Sequence, residues 1–286
     1  MEYRFSDKIA SLKPSAIREV LKATSVPGMI PFAAGNPAPD AFPVAEVQEI
    51  AADILKNRPI DALQYGVTEG YPELISLIKD RMKSKYGIGR DFDSIIITSG
   101  AQQVMDLSTK VLCNEGDVVI CESPSFIGSL NCFRSYNAKL VGVPVDADGM
   151  NIEALEKALD ENPNAKMIYT IPNFQNPAGV TMSLEKRRKL YELAKAHNVM
   201  ILEDNPYGDL RVAGEDVPNI KSFRRGRNRH LFRLVLEDPR ARHPYRLHGR
   251  SRACSREDDC RQAGGRCSHD PADADDSRRV DEEIRC

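Results

Sequence analysis

Short apolar runs alternate with amphipathic segments from Asp93 to Glu203, and this alternation narrows the fold more than any other feature of the chain. Asp93–Thr98 (DSIIIT) reads as a β-branched strand, followed by a helix over 102–112 with Val104, Leu107, Val111 and Leu112 at helical spacing. Asp117–Cys121 (DVVIC) and Lys139–Val145 predict two more strands. Asn151–Asp160 predicts a helix with Ile152, Leu155 and Leu159 on one face. Met167–Ile171 and Val199–Glu203 are again strand-like, separated by a helix over Leu184–His197 with Ser183 as its N-cap and Glu185 nearby. Strands this short and apolar require cover on both faces. The expected fold class is therefore α/β, a mostly parallel sheet sandwiched by helices. Ligands of such sheets bind at the carboxyl ends of the strands, so the residues just after each strand carry the functional reading.

Three strand ends are informative. Ser99-Gly100-Ala101-Gln102-Gln103 is a small-residue turn leading into a helix, where free N–H groups and the positive dipole end suit a phosphate; an ordinary capped turn has the same sequence. Pro172-Asn173-Phe174-Gln175-Asn176-Pro177-Ala178-Gly179 is a stiff loop from which Asn176 can donate a hydrogen bond, or simply a structural turn. Asp204 follows the run VMILE, and an acid at the mouth of an apolar strand is costly unless it meets a cation or donors. A protonated pyridine nitrogen is such a partner, with Tyr207 in reach of a phenolic oxygen on the same ring; the alternative is an Asp that caps the next segment.

Bulk properties exclude some classes and expose a split. A net charge of -2 over 286 residues makes no global case for nucleic acid or membrane binding. No apolar run approaches the roughly 18 residues of a membrane span. The opening MEYRFSDKIA has no signal-peptide core, so the cytoplasm is the expected compartment, with the seven cysteines reduced. Residues 1–223 hold 15 Lys and 9 Arg, whereas residues 224–286 hold 16 Arg and no Lys, with four of the seven Cys and four of the five His. Cys254, Cys260, Cys267 and His269 match no common zinc spacing, so no metal site is expected. Acidic residues at 257–259 and 281–283 interrupt the basic tail, which argues against nucleic acid.

Six segments, in this order, resemble the fold-type I pyridoxal-phosphate-dependent aminotransferases of class I/II: IREVLKATSVPGMIPFAAGNPAPDAFP, LQYGVTEGYPELI, ITSGAQQ, ESPSF, IPNFQNPAG and ILEDNPYGDL. The nearest branch is that of α-aminoadipate, kynurenine and aromatic aminotransferases, and the likeness covers nearly all of residues 8–223. It implies pyridoxal 5'-phosphate as cofactor, an amino acid and a 2-oxo acid as substrates, and a homodimer. It also implies roles. Asp204 pairs with the pyridinium nitrogen, which makes the ring an electron sink. Asn176 and Tyr207 bond the phenolic oxygen, Ala101 and Gln102 hold the phosphate, and Phe126 stacks on the ring. Tyr65 reaches the phosphate of the neighbouring subunit. Gly35 and Asn36 border the substrate, and Arg18 faces an acidic substrate side chain or is a solvated helix-face arginine. Ala101 stands where a serine is common, and Phe126 where a tyrosine is frequent.

The family's series continues with a segment like SGSFSK, whose lysine binds the cofactor covalently and moves the substrate proton. No lysine follows Lys221 here. A change of reading frame near Phe223 accounts for this. Leu231–Pro239 can be encoded by CTA TTC CGG CTC GTT CTC GAA GAT CCT, which one base later reads YSGSFSKIL; Arg240–Arg246 then permit APGIRIG. Glu237 occupies the lysine's position. The expected organisation is an N-terminal arm or helix over 1–30, an incomplete large domain over 31–223, and a poorly ordered out-of-frame tail over 224–286, with the small C-terminal domain missing. The expected parent activity is amino-group transfer, with this chain inactive. Two alternatives are a non-catalytic cofactor-binding or regulatory protein and a non-functional truncated product. No helix-turn-helix module is evident ahead of the domain to support the regulator.

Overall fold

The computed structural model describes residues 6–10, 39–224 and 231–234. Its sheet has six strands in the order β3-β2-β1-β4-β5-β6. These are β1 Val118–Ser123, β2 Lys139–Asp146, β3 Gly149–Met150, β4 Ala165–Thr170, β5 Met200–Asp204 and β6 Leu231–Leu234. All neighbours run parallel except the β2–β3 pair. The expected mostly parallel α/β architecture is therefore present. The order in which the chain adds strands reverses between β1 and β4, which makes the crevice beyond their carboxyl ends the natural ligand site.

The described residues form two compact units. Residues 37–85 and 89–97 form one, with helices α1 Val44–Asn57, α2 Pro59–Leu63 and α3 Pro72–Tyr86. These three helices lie ahead of the segments read from the sequence, although Val44, Val47, Ile50 and Ile54 of α1 stand at helical spacing. In the fold α1 buries only Ile50, α3 only Leu74 and Met82, and α2 nothing. The expected strand Asp93–Thr98 is an irregular segment outside the sheet. A β-branched run becomes a strand only with a ladder partner, and Ile97 spends its N–H on a single carbonyl, that of Glu69, at 2.8 Å.

The other unit holds the sheet with α4 Gly100–Leu112, α5 Ile127–Arg134, α6 Ile152–Glu161 and α7 Leu184–Ala196. Successive strand residues point to opposite faces, and the core follows that alternation. Val118, Ile120, Ile168 and Ile201 join Leu155, Leu159 and Leu190 of α6 and α7 on one face. Val119, Cys121, Met167, Tyr169 and Leu202 join Met105 and Phe133 of α4 and α5 on the other. Each fully buried aliphatic side chain contributes about 1.5–3 kcal/mol. Asn151 caps α6 by accepting from Ala154 N at 2.8 Å, and Ser183 caps α7 by accepting from Lys186 N at 3.4 Å. Among the described residues, no helix is long and apolar enough to cross a membrane.

Candidate active site

Asp204 is the last residue of β5 and only 2% exposed. The strand before it is buried throughout from Ile201, so the carboxylate arrives at the sheet edge inside the protein. Its Oδ2 accepts from the Tyr169 hydroxyl at 2.8 Å. Its Oδ1 is buried with no hydrogen-bond partner. A buried acceptor left without a donor costs about 1–3 kcal/mol. Burial pushes the carboxyl up to about 6, against the opposing effect of the Tyr169 bond. A cationic N–H at Oδ1 would remove both penalties, and a protonated ring nitrogen is such a group.

Asn176 and Tyr207, 31 positions apart in the chain, meet in space. The Asn176 Nδ2 donates to the Tyr207 hydroxyl at 3.0 Å. Both line a cavity of about 470 Å³, with Phe174, Gln175, Pro177 and Leu210 among its walls. Its walls are mostly apolar, with this pair among the groups able to orient a polar substituent.

Five buried side chains hold the loops that carry these groups. Glu122 of β1 accepts from Thr170 Oγ1 at 2.7 Å, Ile171 N at 3.1 Å and Gln175 Nε2 at 3.1 Å. Gln175 also donates to Pro124 O at 2.8 Å and accepts from Ala178 N at 2.8 Å, so the chain on both sides of Asn176 is fixed. Arg187 of α7, fully buried, donates to the carbonyls of Met182, Pro172, Val217 and Pro218 and to Asn173 Oδ1, at 2.8–3.2 Å. Asn173 in turn donates to Asn205 Oδ1 at 2.6 Å, joining the loop after β4 to the loop after β5. Glu203, also fully buried, accepts from the N–H groups of Ile220 and Lys221.

Burial raises the Glu122 carboxyl to about 7; its three hydrogen bonds oppose the rise and the Asp204 charge adds to it. Both acids therefore bind protons more tightly in the folded chain than in the unfolded one. Their contribution to stability is fully present below the ordinary carboxylate range and is lost as pH rises through about 6 and 7. The two together should contribute a loss on the order of 6 kcal/mol between the ordinary carboxylate range and pH 7, read from denaturant midpoints. Glu122→Gln should remove about half of the slope, leaving the Asp204 part; an unchanged slope would show that Glu122 does not titrate there.

At the start of α4, Ser99 N–H donates to Gln103 Oε1 at 2.6 Å, and Gly100 takes φ +77°, a conformation that suits glycine. No acidic residue lies in the first turn of α4, so its positive end is not offset by its own sequence. Ala101 is half-buried and Gln102 exposed, with Gln102 Nε2 donating to Gly128 O at 3.5 Å. Ala101, Phe126 and Tyr207 all pack against the core cluster that contains Tyr169. A Cβ at Gly128 would fall 2.6 and 2.8 Å from two ring atoms of Phe126, so this glycine makes room for the ring. Gly128→Ala should displace that ring and weaken binding of a stacked aromatic ligand several-fold by titration, with little change in melting temperature.

Tyr65 is fully exposed and belongs to the helical unit. Arg18, Gly35, Asn36 and Glu237 lie outside the described residues. Among the described residues, no cluster of three or more His, Cys, Asp or Glu side chains could hold a metal. Sequence reading missed Tyr169, Glu122, Gln175 and Arg187. Glu122 had a faint signal, an acid ending the apolar run VVIC. Arg187 had none, because in EKRRK it looks like one more solvated charge.

The fold and these strand-end groups define an α/β protein with a ligand site at the carboxyl edge of a mostly parallel sheet. Residues 27–234 match the family described as aminotransferase class I and II, and the chain belongs to that family. Aromatic-amino-acid aminotransferase 1 of Thermococcus litoralis is 42% identical over 226 residues, covering 78% of this chain and 54% of that protein. The 2-aminoadipate transaminase of Thermus thermophilus is 35% identical over 216 residues, 76% of this chain and 53% of that one. The crystal structure of a Pyrococcus horikoshii kynurenine aminotransferase in complex with PMP superposes with a TM-score of 0.74 at 36% identity, over 80% of this chain and 57% of that chain. The chain thus spans about half the length of the curated relatives it matches.

Proposed function

We propose that the site binds pyridoxal 5'-phosphate and descends from an enzyme that transfers an amino group from an amino acid to a 2-oxo acid. The buried Asp204 oxygen without a donor carries this reading, because a ring nitrogen that brings a proton satisfies it. When bound, the cofactor supplies an electron-withdrawing ring that stabilises charge at the substrate α-carbon. Asp204 keeps the ring nitrogen protonated, Asn176 and Tyr207 orient the phenolic oxygen, Phe126 covers the ring, and the start of α4 with Ala101 and Gln102 takes the phosphate. Tyr65 and the exposed Ile60 and Leu63 of the helical unit fit cover by a second copy of the chain, giving a homodimer in the cytoplasm. Gly35, Asn36 and Arg18 are assigned to the substrate side.

The same reading makes this chain inactive in transamination, because Glu237 stands where the lysine belongs. It supports an out-of-frame tail from about residue 224. β6 enters the sheet beside β5, with Leu234 opposite Asp204, and Glu237 follows three residues later. The nucleotide sequence around codon 223 is decisive: a frame without an SGSFSK-like segment would remove the explanation. For the cofactor, equilibrium dialysis with pyridoxamine 5'-phosphate, which needs no lysine, should show saturable binding that Asp204→Ala weakens at least tenfold. Absence of saturable binding would leave a non-functional product as the reading.

A further inference from the structure

Behind Asp204 runs a buried chain of hydroxyls that the roles above do not use. Tyr169 is fully buried on β4 and donates to Asp204 Oδ2 at 2.8 Å. Ser129, fully buried on α5, lies 2.8 Å from the Tyr169 oxygen and 2.9 Å from Met105 Sδ. A tyrosine has one hydroxyl proton, and an ionised carboxylate has none to give. With that proton committed to Asp204, the Tyr169 oxygen must accept, and Ser129 is its donor. The chain therefore runs one way, Ser129 to Tyr169 to Asp204.

This arrangement exceeds what packing needs. The Tyr169 ring already packs edge-on against Phe133, with centroids 5.4 Å apart, and a phenylalanine at 169 would keep that contact. Two hydroxyls buried in an apolar cluster are costly unless each is bonded, and here the bonds end on the one carboxylate whose other oxygen is free. Anchoring Oδ2 fixes the rotation of the carboxylate, and with it the direction of Oδ1. A donor at Oδ2 also favours the ionised form, which opposes the effect of burial.

We infer that Tyr169, oriented by Ser129, is a positioning residue that holds Asp204 as an ionised, correctly turned acceptor for a protonated ring nitrogen. The inference rests on the cofactor reading above, and the test separates the two. Full-length chain is titrated with pyridoxamine 5'-phosphate and with its analogue carrying C–H in place of the ring nitrogen. Nitrogen NMR of isotope-labelled pyridoxamine 5'-phosphate reports protonation of the bound ring. The parent should prefer the nitrogen-containing ligand and hold it protonated. Tyr169→Phe should lose about tenfold of that preference, the worth of one hydrogen bond to a charged group, and shift the ring signal toward the unprotonated form. Ser129→Ala should move both readouts the same way by a smaller factor. Phe133→Leu, which loosens the same core but leaves the hydroxyl chain, should lower the melting temperature and leave the preference unchanged. A Tyr169→Phe chain with the parent's preference and a protonated ring would overturn the inference and leave the cofactor reading standing. A parent with no preference for the ring nitrogen would overturn both.

Discussion

Shifting translation by one base near codon 223 should convert this chain from one that cannot hold its cofactor covalently into one that can. In the frame proposed above, the shifted product would carry a lysine in YSGSFSK at the place of Glu237, which follows the strand that pairs with β5. Borohydride treatment followed by peptide mapping should find a cofactor adduct on that lysine, and none at Glu237 in the chain as it stands. The same lysine moves the substrate proton, a role worth on the order of a hundred- to ten-thousandfold in rate. Transamination by the present chain should therefore lie at least about a thousandfold below that of the shifted product. Comparable rates for the two chains would sink both the inactivity and the assignment of the lysine's position. The Asp204 site is common to both, so non-covalent binding of pyridoxamine 5'-phosphate should change far less than turnover.

Arg187→Met should be among the most destabilising single changes in the described part of the chain. It removes the donor from five acceptors: the carbonyls of Pro172, Met182, Val217 and Pro218, and Asn173 Oδ1. Each buried acceptor left unpaired costs about 1–3 kcal/mol, partly recovered by local relaxation. A loss of roughly 4 kcal/mol or more is expected in chemical denaturation. Methionine fills much of the volume, so the loss reports the hydrogen bonds rather than a void. Arg188→Met, at the exposed neighbouring position, should change stability little. Affinity for pyridoxamine 5'-phosphate should fall with Arg187→Met as well, because Asn173 then loses its hold on Asn205 beside Asp204. Equal effects at 187 and 188 would show that burial of Arg187 carries no energetic weight.

Much of this was legible in the chain before any coordinates. The runs DVVIC, KMIYTI and VMILE announce strands because both faces are buried, so no polar residue interrupts them. Their ends announce the site, because a sheet covered on both faces offers ligands only its edge. Asp204, Asn176 and Tyr207 were found in that way, and the structure places the last two in contact. DSIIIT misled for a reason internal to such reading: composition states a preference for extended backbone, and pairing decides whether a ladder forms. The helices α1 and α3 carry apolar residues at helical spacing (Val44, Val47, Ile50 and Ile54; Leu74, Ile75, Ile78 and Met82) that mark them as amphipathic, and they were passed over because they lie ahead of the strand-by-strand alternation from Asp93 onward.

By itself the sequence determined the alternation of elements, the sheet with its covered faces, the family, and the loss of lysine after Lys221, since each depends on residues close together along the chain. Only the tertiary structure decided that Tyr169 and Ser129 stand behind Asp204, that Glu122 and Gln175 brace Asn176, and that Arg187 is a buried clamp. The pairs Ser129–Tyr169, Tyr169–Asp204, Glu122–Gln175 and Arg187–Asn173 lie 14 to 53 positions apart in sequence. Nothing local distinguishes a tyrosine that fills a core from one whose hydroxyl reaches a carboxylate across two strands. The distinction arises when β4 and β5 pair in register and bring the hydroxyl and the carboxylate within 2.8 Å of each other, away from water.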